Sequence, residues 1–381
     1  MKSAVISWDP VGGTWRGAKD VPSLKRKSSL LLYFGDRVVL SSSTAAIDAL
    51  RAEFPDALIA GCSTSGEICG GEVHEGSVVA IAMSFDSTTV DHTIVDLADA
   101  GTIQAAGERL ATSLAKENLC GLFVISDGTL VDGDGLLRGI EQALPAGVTI
   151  CGGLAADGDR FQSTLVGLKS SIYPGKVVGI GFYGDALEIL CGSGAGWECF
   201  GPVRRITKSK NNVLIELDGE PALGVYRRYL GDQANLPADA LHFPLEIYPN
   251  GEDEQGLVRT ILAVDDDAQT ITFAGNIPED CTARLMRAGS ERLLEGAQTA
   301  AERAVGESER NFDAAVLISC VGRRIILGLR TEDEVGEVRD VIGTNVPAAG
   351  FYSYGELGPF FPGGVSELHN QTMTVTLFRE R

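Results

Sequence analysis

Long apolar runs are missing from this sequence. No stretch approaches the roughly 18–20 consecutive apolar residues that cross a bilayer, so membrane insertion is not expected. The opening, MKSAVISWDP, meets Asp9 and Pro10 before an apolar segment can build, so a secretory signal is not expected either. The cytoplasm is the expected location. Positive charge is also scarce: 32 Lys and Arg stand against 52 Asp and Glu, a net charge of −20. A surface this acidic repels phosphate backbones and anionic head groups, which argues against nucleic acid as a partner. The one basic cluster, Arg204, Arg205, Lys208 and Lys210, is short and suits a solvated strand end.

Catalytic signatures are missing too. There is no HExxH, no P-loop and no GxGxxG after a strand. GCSTSG is not a nucleophile elbow, because two residues separate Ser63 from Gly66. The glycine-rich CGSGAGW at 191–197 lacks the following helix that a phosphate site needs. The eight cysteines include no CxxC pair, and most lie in apolar runs such as VTICGG and VLISC. Reduced, buried thiols are expected, not zinc ribbons or redox pairs.

What is present is an internal repeat. Three segments share the order strand, helix, strand, strand. The first runs through SSLLLYFGD, TAAIDALRAEF, DALIAGCS and SVVAIAMSF. The second runs through CGLFVISDG, DGLLRGIEQALP, VTICGG and KVVGIGFYG; the third through AAVLISCVG, DEVGEVRDVIG, VPAAGFYS and TMTVTLF. A further strand and helix precede units two and three: TTVDHTIVDL with IQAAGERLATSLAKE, and TITFAGNI with CTARLMRAGSERLLEGAQTAAERAV. The pattern predicts an α/β fold, with α+β layering also allowed, in which helices pack on mixed sheets. At 381 residues the chain accommodates two domains, placed at 1–220 and 221–381.

The units also agree at polar positions. Gly61, Gly66 and Glu67 in the first match Gly350, Gly355 and Glu356 in the third; Gly152, Gly158 and Asp159 are the counterparts in the second. Further on, His74 and His369 each precede the last strand, with Tyr173 aligned to them. Strand ends of α/β sheets are where ligands bind. The candidate ligand-binding residues are therefore Ser63, Thr64, Ser65, Glu67, Asp127, Asp157, Asp159, Arg160, Tyr352, Tyr354, Glu356, His369 and Asn370. Arg160 suits a carboxylate, and a neighbouring acid an ammonium, as in a small zwitterion. The same carboxylates and rings also suit structural roles, bonded to nearby backbone.

The segments IAGCSTSGEI, CGGLAADGDRF, YPGKVVGIGFYG, GNIPEDCTARLM, AAGFYSYGEL and ELHNQTMTVTLF together resemble the FIST family (F-box and intracellular signal transduction), in both its N- and C-terminal domains. The resemblance implies a bacterial sensory protein that binds a small ligand, amino-acid-like or another metabolite. It implies relay to a separate partner, a histidine kinase or a cyclic-dinucleotide signalling protein. Some members resemble haem-based nitric-oxide sensors, so haem is an allowed cofactor, with His369, His242 and His74 as candidate iron ligands. Two other functions fit the residues: an enzyme using Glu67, Glu356, His369 and Cys62, or a scaffold without a ligand.

Overall fold

The computed structural model describes residues 1–17, 24, 29–231, 236, 241–251, 255–308 and 311–381. The fold is α/β with mixed sheets, and three sets of strands, here called units, share one arrangement. In each unit the first two strands are parallel and joined through helices: Leu30–Asp36 with Leu58–Thr64, Leu119–Ser126 with Thr149–Leu154, and Ala314–Cys320 with Ala348–Ser353. The last strand of each unit, Val78–Ser84, Lys176–Tyr183 or Met373–Glu380, lies antiparallel to the first. These strands read as unbroken apolar runs because both faces are covered. Helices cover the outer faces. The inner faces meet in one common core, where Phe34 stacks on Phe351 at 4.8 Å, Phe182 meets Phe378 at 5.7 Å, and Phe85 meets Phe182 at 5.9 Å.

The three sheets are interlocked. Each unit carries a short hairpin between its second and last strands, and each hairpin joins a neighbouring sheet. Glu67–Cys69 pairs with Ala348–Ser353 of the third unit. Val166–Leu168 pairs with Leu58–Thr64 of the first. Gly355–Pro359 pairs with Thr149–Leu154 of the second. The exchange closes a ring.

Gly61, Gly152 and Gly350 allow the parallel strands to approach. A Cβ at these positions would lie 2.1 Å from the Tyr33 carbonyl, 1.9 Å from that of Val124 and 1.8 Å from that of Leu317. Gly66 (φ 129°) and Gly158 (φ 80°) take backbone angles closed to other residues without strain.

Two features depart from the sequence pattern. The strand preceding the third unit is Leu187–Gly194, which pairs with Met373–Glu380, and not TITFAGNI. TITF (Thr270–Phe273) and TARLMR (Thr282–Arg287, a strand where a helix was expected) belong to an inserted, mostly antiparallel sheet over residues 198–287. That sheet packs on the helix Ala222–Leu230 in its own core. The third sheet therefore takes strands from both sides of residue 220. Among the described residues, no helix is long and apolar enough to cross a membrane.

Candidate functional site

The parallel strands end on one side of the ring, and the hollows are there. One of them, of about 1060 Å³, has three walls. The first is the turn after Leu119–Ser126. The buried Asp127 shapes it: one carboxylate oxygen accepts from the N–H groups of Thr129 (2.8 Å) and Leu130 (3.0 Å), the other from that of Gly175 (2.9 Å). This turn delivers Thr129, Leu130 and Asp132 to the cavity. The second wall comes from the third unit, with Cys320, Val321, Ile325, Tyr354 and Asn370. The third is the inserted sheet, with Asn211, Asn212, Thr260, Leu262 and Asn276.

Arg259 clamps the inserted sheet to the ring. Its buried guanidinium donates to Asp134 (3.2 Å), the Leu368 carbonyl (2.9 Å) and the Asn276 carbonyl (3.1 Å). The charged groups on the cavity wall, Asp132 and Arg138, lie 3.7 Å apart. Two polar atoms of wall residues are different. Asn370 Oδ1 and Thr260 Oγ1 are buried and have no hydrogen-bond partner among the described residues. Leaving such a group unsatisfied costs about 1–3 kcal/mol.

A second hollow of about 680 Å³ is more polar, with Asp36, Thr64, Ser65, Glu67, Asp159, Arg160 and Arg324 in its wall. Arg324 is already engaged by the Ser65 carbonyl and Glu75. A third, of about 230 Å³, holds His369, Phe360, Arg303 and Trp197.

The sequence candidates therefore divide. Thr64, Ser65, Glu67, Asp159 and Arg160 share the second hollow, Tyr354 and Asn370 line the first, and His369 lines the third. Glu67 and Glu356 are not brought together. Each is the centre of the same internal staple. Glu67 accepts from the Thr64 hydroxyl (2.5 Å) and the Ser77 hydroxyl (2.6 Å); Glu356 accepts from Ser353 (2.6 Å) and Thr372 (2.8 Å). Strand register shows Glu67 opposite His74, Glu356 opposite His369, and Val166 opposite Tyr173. The second-unit counterpart of the two glutamates is thus Val166, not Asp159, because a longer loop separates it from the preceding strand.

That loop uses the remaining candidates. Asp157 is buried and accepts from the N–H groups of Gln162 (3.1 Å) and Ser163 (2.9 Å), and from the Tyr354 hydroxyl. Tyr354 stacks on Phe161 with ring centroids 4.5 Å apart, and both line the large cavity. Ser63 Oγ accepts from the Leu165 N–H at 2.9 Å. Tyr352 points away from the hollows: its hydroxyl donates to Glu334 (2.8 Å), beside a fully buried Arg323–Glu334 pair at 2.6 Å. Asn212, Thr260, Leu262, Asn276 and Arg138 were not singled out by sequence. Only the Asn211-Asn212 pair carries a local signal, that of a turn.

Residues 29–220 match the FIST N domain and residues 222–359 the FIST C domain. The chain belongs to the FIST family. FIST domains are sensory domains of signal transduction. An uncharacterized protein of Mycobacterium tuberculosis is 26% identical to this FIST chain over 251 residues, 64% of each chain. An uncharacterized protein of Methanocaldococcus jannaschii is 24% identical over 229 residues, 56% of this chain and 43% of the relative. One from Mycobacterium bovis is 24% identical over 243 residues, 61% of each chain. The chain thus spans less than two thirds of the length of these FIST relatives.

Haem, which some family members suggest, finds no fitting histidine here. The chain has four histidines, and none lines the large cavity. His369 is buried, with Nε2 held 2.7 Å from the Gly358 carbonyl and its ring against Phe360, beside a hollow of about 230 Å³. That is below the usual 300–1,000 Å³ range of small-molecule sites. His74 is partly exposed beside Glu72, and His242 is exposed.

Proposed function

We propose that this FIST protein is a sensor that takes a small organic ligand into the 1060 Å³ cavity between the ring and the inserted sheet. The observation that carries this is the gathering of four exposed apolar side chains, Leu130, Phe161, Leu262 and Ile325, on the wall of this one cavity. The cavity is also built from two bodies. A ligand that touches both biases how the inserted sheet sits on the ring, which is how a binding event reaches a surface that another protein reads. The partner we favour is a histidine kinase or a cyclic-dinucleotide signalling protein in the cytoplasm.

Binding without chemistry is supported by the state of the candidate nucleophiles. Burial pushes the Cys62 and Cys320 thiols well above their ordinary range, so neither is a thiolate at neutral pH. A second reading rests on the polar 680 Å³ hollow, where Arg160 and Asp159 would suit the carboxylate and ammonium of an amino acid.

Thermal unfolding across a metabolite and amino-acid panel tests the proposal. A ligand at about 100 times its Kd stabilises by roughly 2.7 kcal/mol. Ile325→Trp, at an exposed position on the large cavity, is expected to abolish that shift. A shift that survives Ile325→Trp but is lost in Arg160→Ala moves the site to the polar hollow. No shift with any compound refutes the sensor reading.

A further inference from the structure

An aromatic pair on the wall of the 1060 Å³ cavity narrows its occupant. Phe161 and Tyr354 both line it, their rings stacked at 4.5 Å and within 14° of parallel. Tyr354 is the fixed member. It is 9% exposed, and a Cβ at Gly128 would lie 3.1 Å from its ring. Its hydroxyl sits between the Asp157 carboxylate and the Gly158 carbonyl. The same hydroxyl accepts from the Phe161 N–H at 3.1 Å. Phe161 is thus tied to Tyr354 through both its ring and its main chain. Tyr354 covers one face of Phe161, yet Phe161 is 47% exposed, so the uncovered face is the one left to the cavity.

The backbone that presents this face is strained. Phe161 has a φ of 51°, in the left-handed region that bulky side chains avoid. The other non-glycine residues with positive φ among the described residues are Asn, Asp, Gln and Lys; Phe161 is the one apolar side chain in that set. Strain of this kind persists where the surrounding structure over-determines it, and it gathers at ligand sites. Apolar area alone does not call for it. Leu130 and Leu262 supply such area on the same wall from ordinary backbone. What the strained position adds is a flat face held in one orientation. An aromatic ring laid on that face gains a stacking interaction beyond its buried area, which a saturated ring of the same skeleton lacks.

We infer that the ligand carries an aromatic ring, and that this ring stacks on the open face of Phe161 as the third layer over Tyr354. Leu130, Leu262 and Ile325 supply the aliphatic contacts around it. This rests on the sensor reading of the same cavity.

Calorimetric titration of the full chain with 2-naphthol and with decahydro-2-naphthol tests it. The two probes share a carbon skeleton and a hydroxyl, and only the first is flat and aromatic. 2-Naphthol is expected to bind one molecule per chain, about fivefold to tenfold more tightly than its saturated counterpart, the worth of one aromatic pair. Phe161→Leu keeps apolar area and is expected to remove that preference. Phe161→Trp widens the platform and is expected to strengthen 2-naphthol selectively, which keeps the test decisive if Phe161→Leu folds poorly. Equal affinity for the two alcohols in the parent chain, a preference kept in Phe161→Leu, or one untouched by Phe161→Trp overturns the inference. Equal binding of both that Ile325→Trp blocks overturns the stacking and keeps the sensor reading. Failure of both alcohols to bind overturns the ligand class, and silence across the wider metabolite panel then removes the sensor reading itself.

Discussion

At the scale of residues, burial sets the chemistry of the repeated carboxylates. It pushes Glu67 up to about 7 and Glu356 up to about 8, against 4.5 for a free glutamate, while it pushes His369 down to about 4. A carboxyl that holds its proton more tightly when folded contributes stability that is present below about 4.5 and lost as pH rises to 7–8. His369 acts in the opposite sense, losing stability as pH falls from 6.5 towards 4, so the two effects offset each other in mild acid. The glutamate effect is therefore exposed between about pH 6.5 and 8. Glu356→Gln, which mimics the protonated acid and keeps Ser353 and Thr372 bonded, is expected to be more stable than the parent at pH 8 by on the order of 2 kcal/mol and to flatten the decline. Denaturant titrations at pH 6.5 and 8 measure this; an unchanged slope would show that Glu356 is ionised in the fold. The Arg323–Glu334 pair behaves differently, because both groups are fully buried and Arg323 also donates to the Leu293 carbonyl at 2.6 Å. Arg323→Met strands a buried carboxylate and is expected to cost about 3–5 kcal/mol, read as a loss of thermal midpoint.

At the scale of elements, the parallel strand pairs depend on bare backbone. Gly350→Ala places a methyl 1.8 Å from the Leu317 carbonyl, in a strand with no freedom to retreat, and is expected to cost about 1–3 kcal/mol in chemical denaturation. Gly336→Ala is the control of opposite sign. It lies within the helix Thr331–Ile342 with open space around it, so alanine is expected to stabilise by about 0.5–1 kcal/mol. These elements were legible beforehand. The strands AAVLISC and LLLYFGD are apolar over most of their length, and Val335, Val338 and Ile342 recur at helical spacing and are buried. The alignment of Tyr173 with His74 and His369 agrees with the strand register, since each sits opposite its hairpin partner. Equating Asp159 with the glutamates followed sequence spacing, which a loop insertion shifts; register identifies Val166 instead.

At the scale of the molecule, the sheets hold one another. The 220/222 division between the FIST N and FIST C matches runs through the third sheet, where Leu187–Gly194 pairs with Met373–Glu380. A fragment of residues 1–220 would lose that strand's partner, the host of the Glu67–Cys69 hairpin, and Phe351 and Phe378 from the common core. It is expected to lack near-ultraviolet ellipticity alone and to regain it when co-expressed with 221–381; a fragment that folds alone would show the ring is dispensable. The family and the α/β class were legible in the sequence, because they are written in local periodicity and in motif residues at the strand ends. Which hairpin joins which sheet, which strand opens the third unit, and which side chains share the cavity of about 1060 Å³ came only with the folded chain. The hairpin and strand pairings join residues more than a hundred positions apart, and no local pattern encodes a cavity lined from many separate stretches of chain between Thr102 and Asn370.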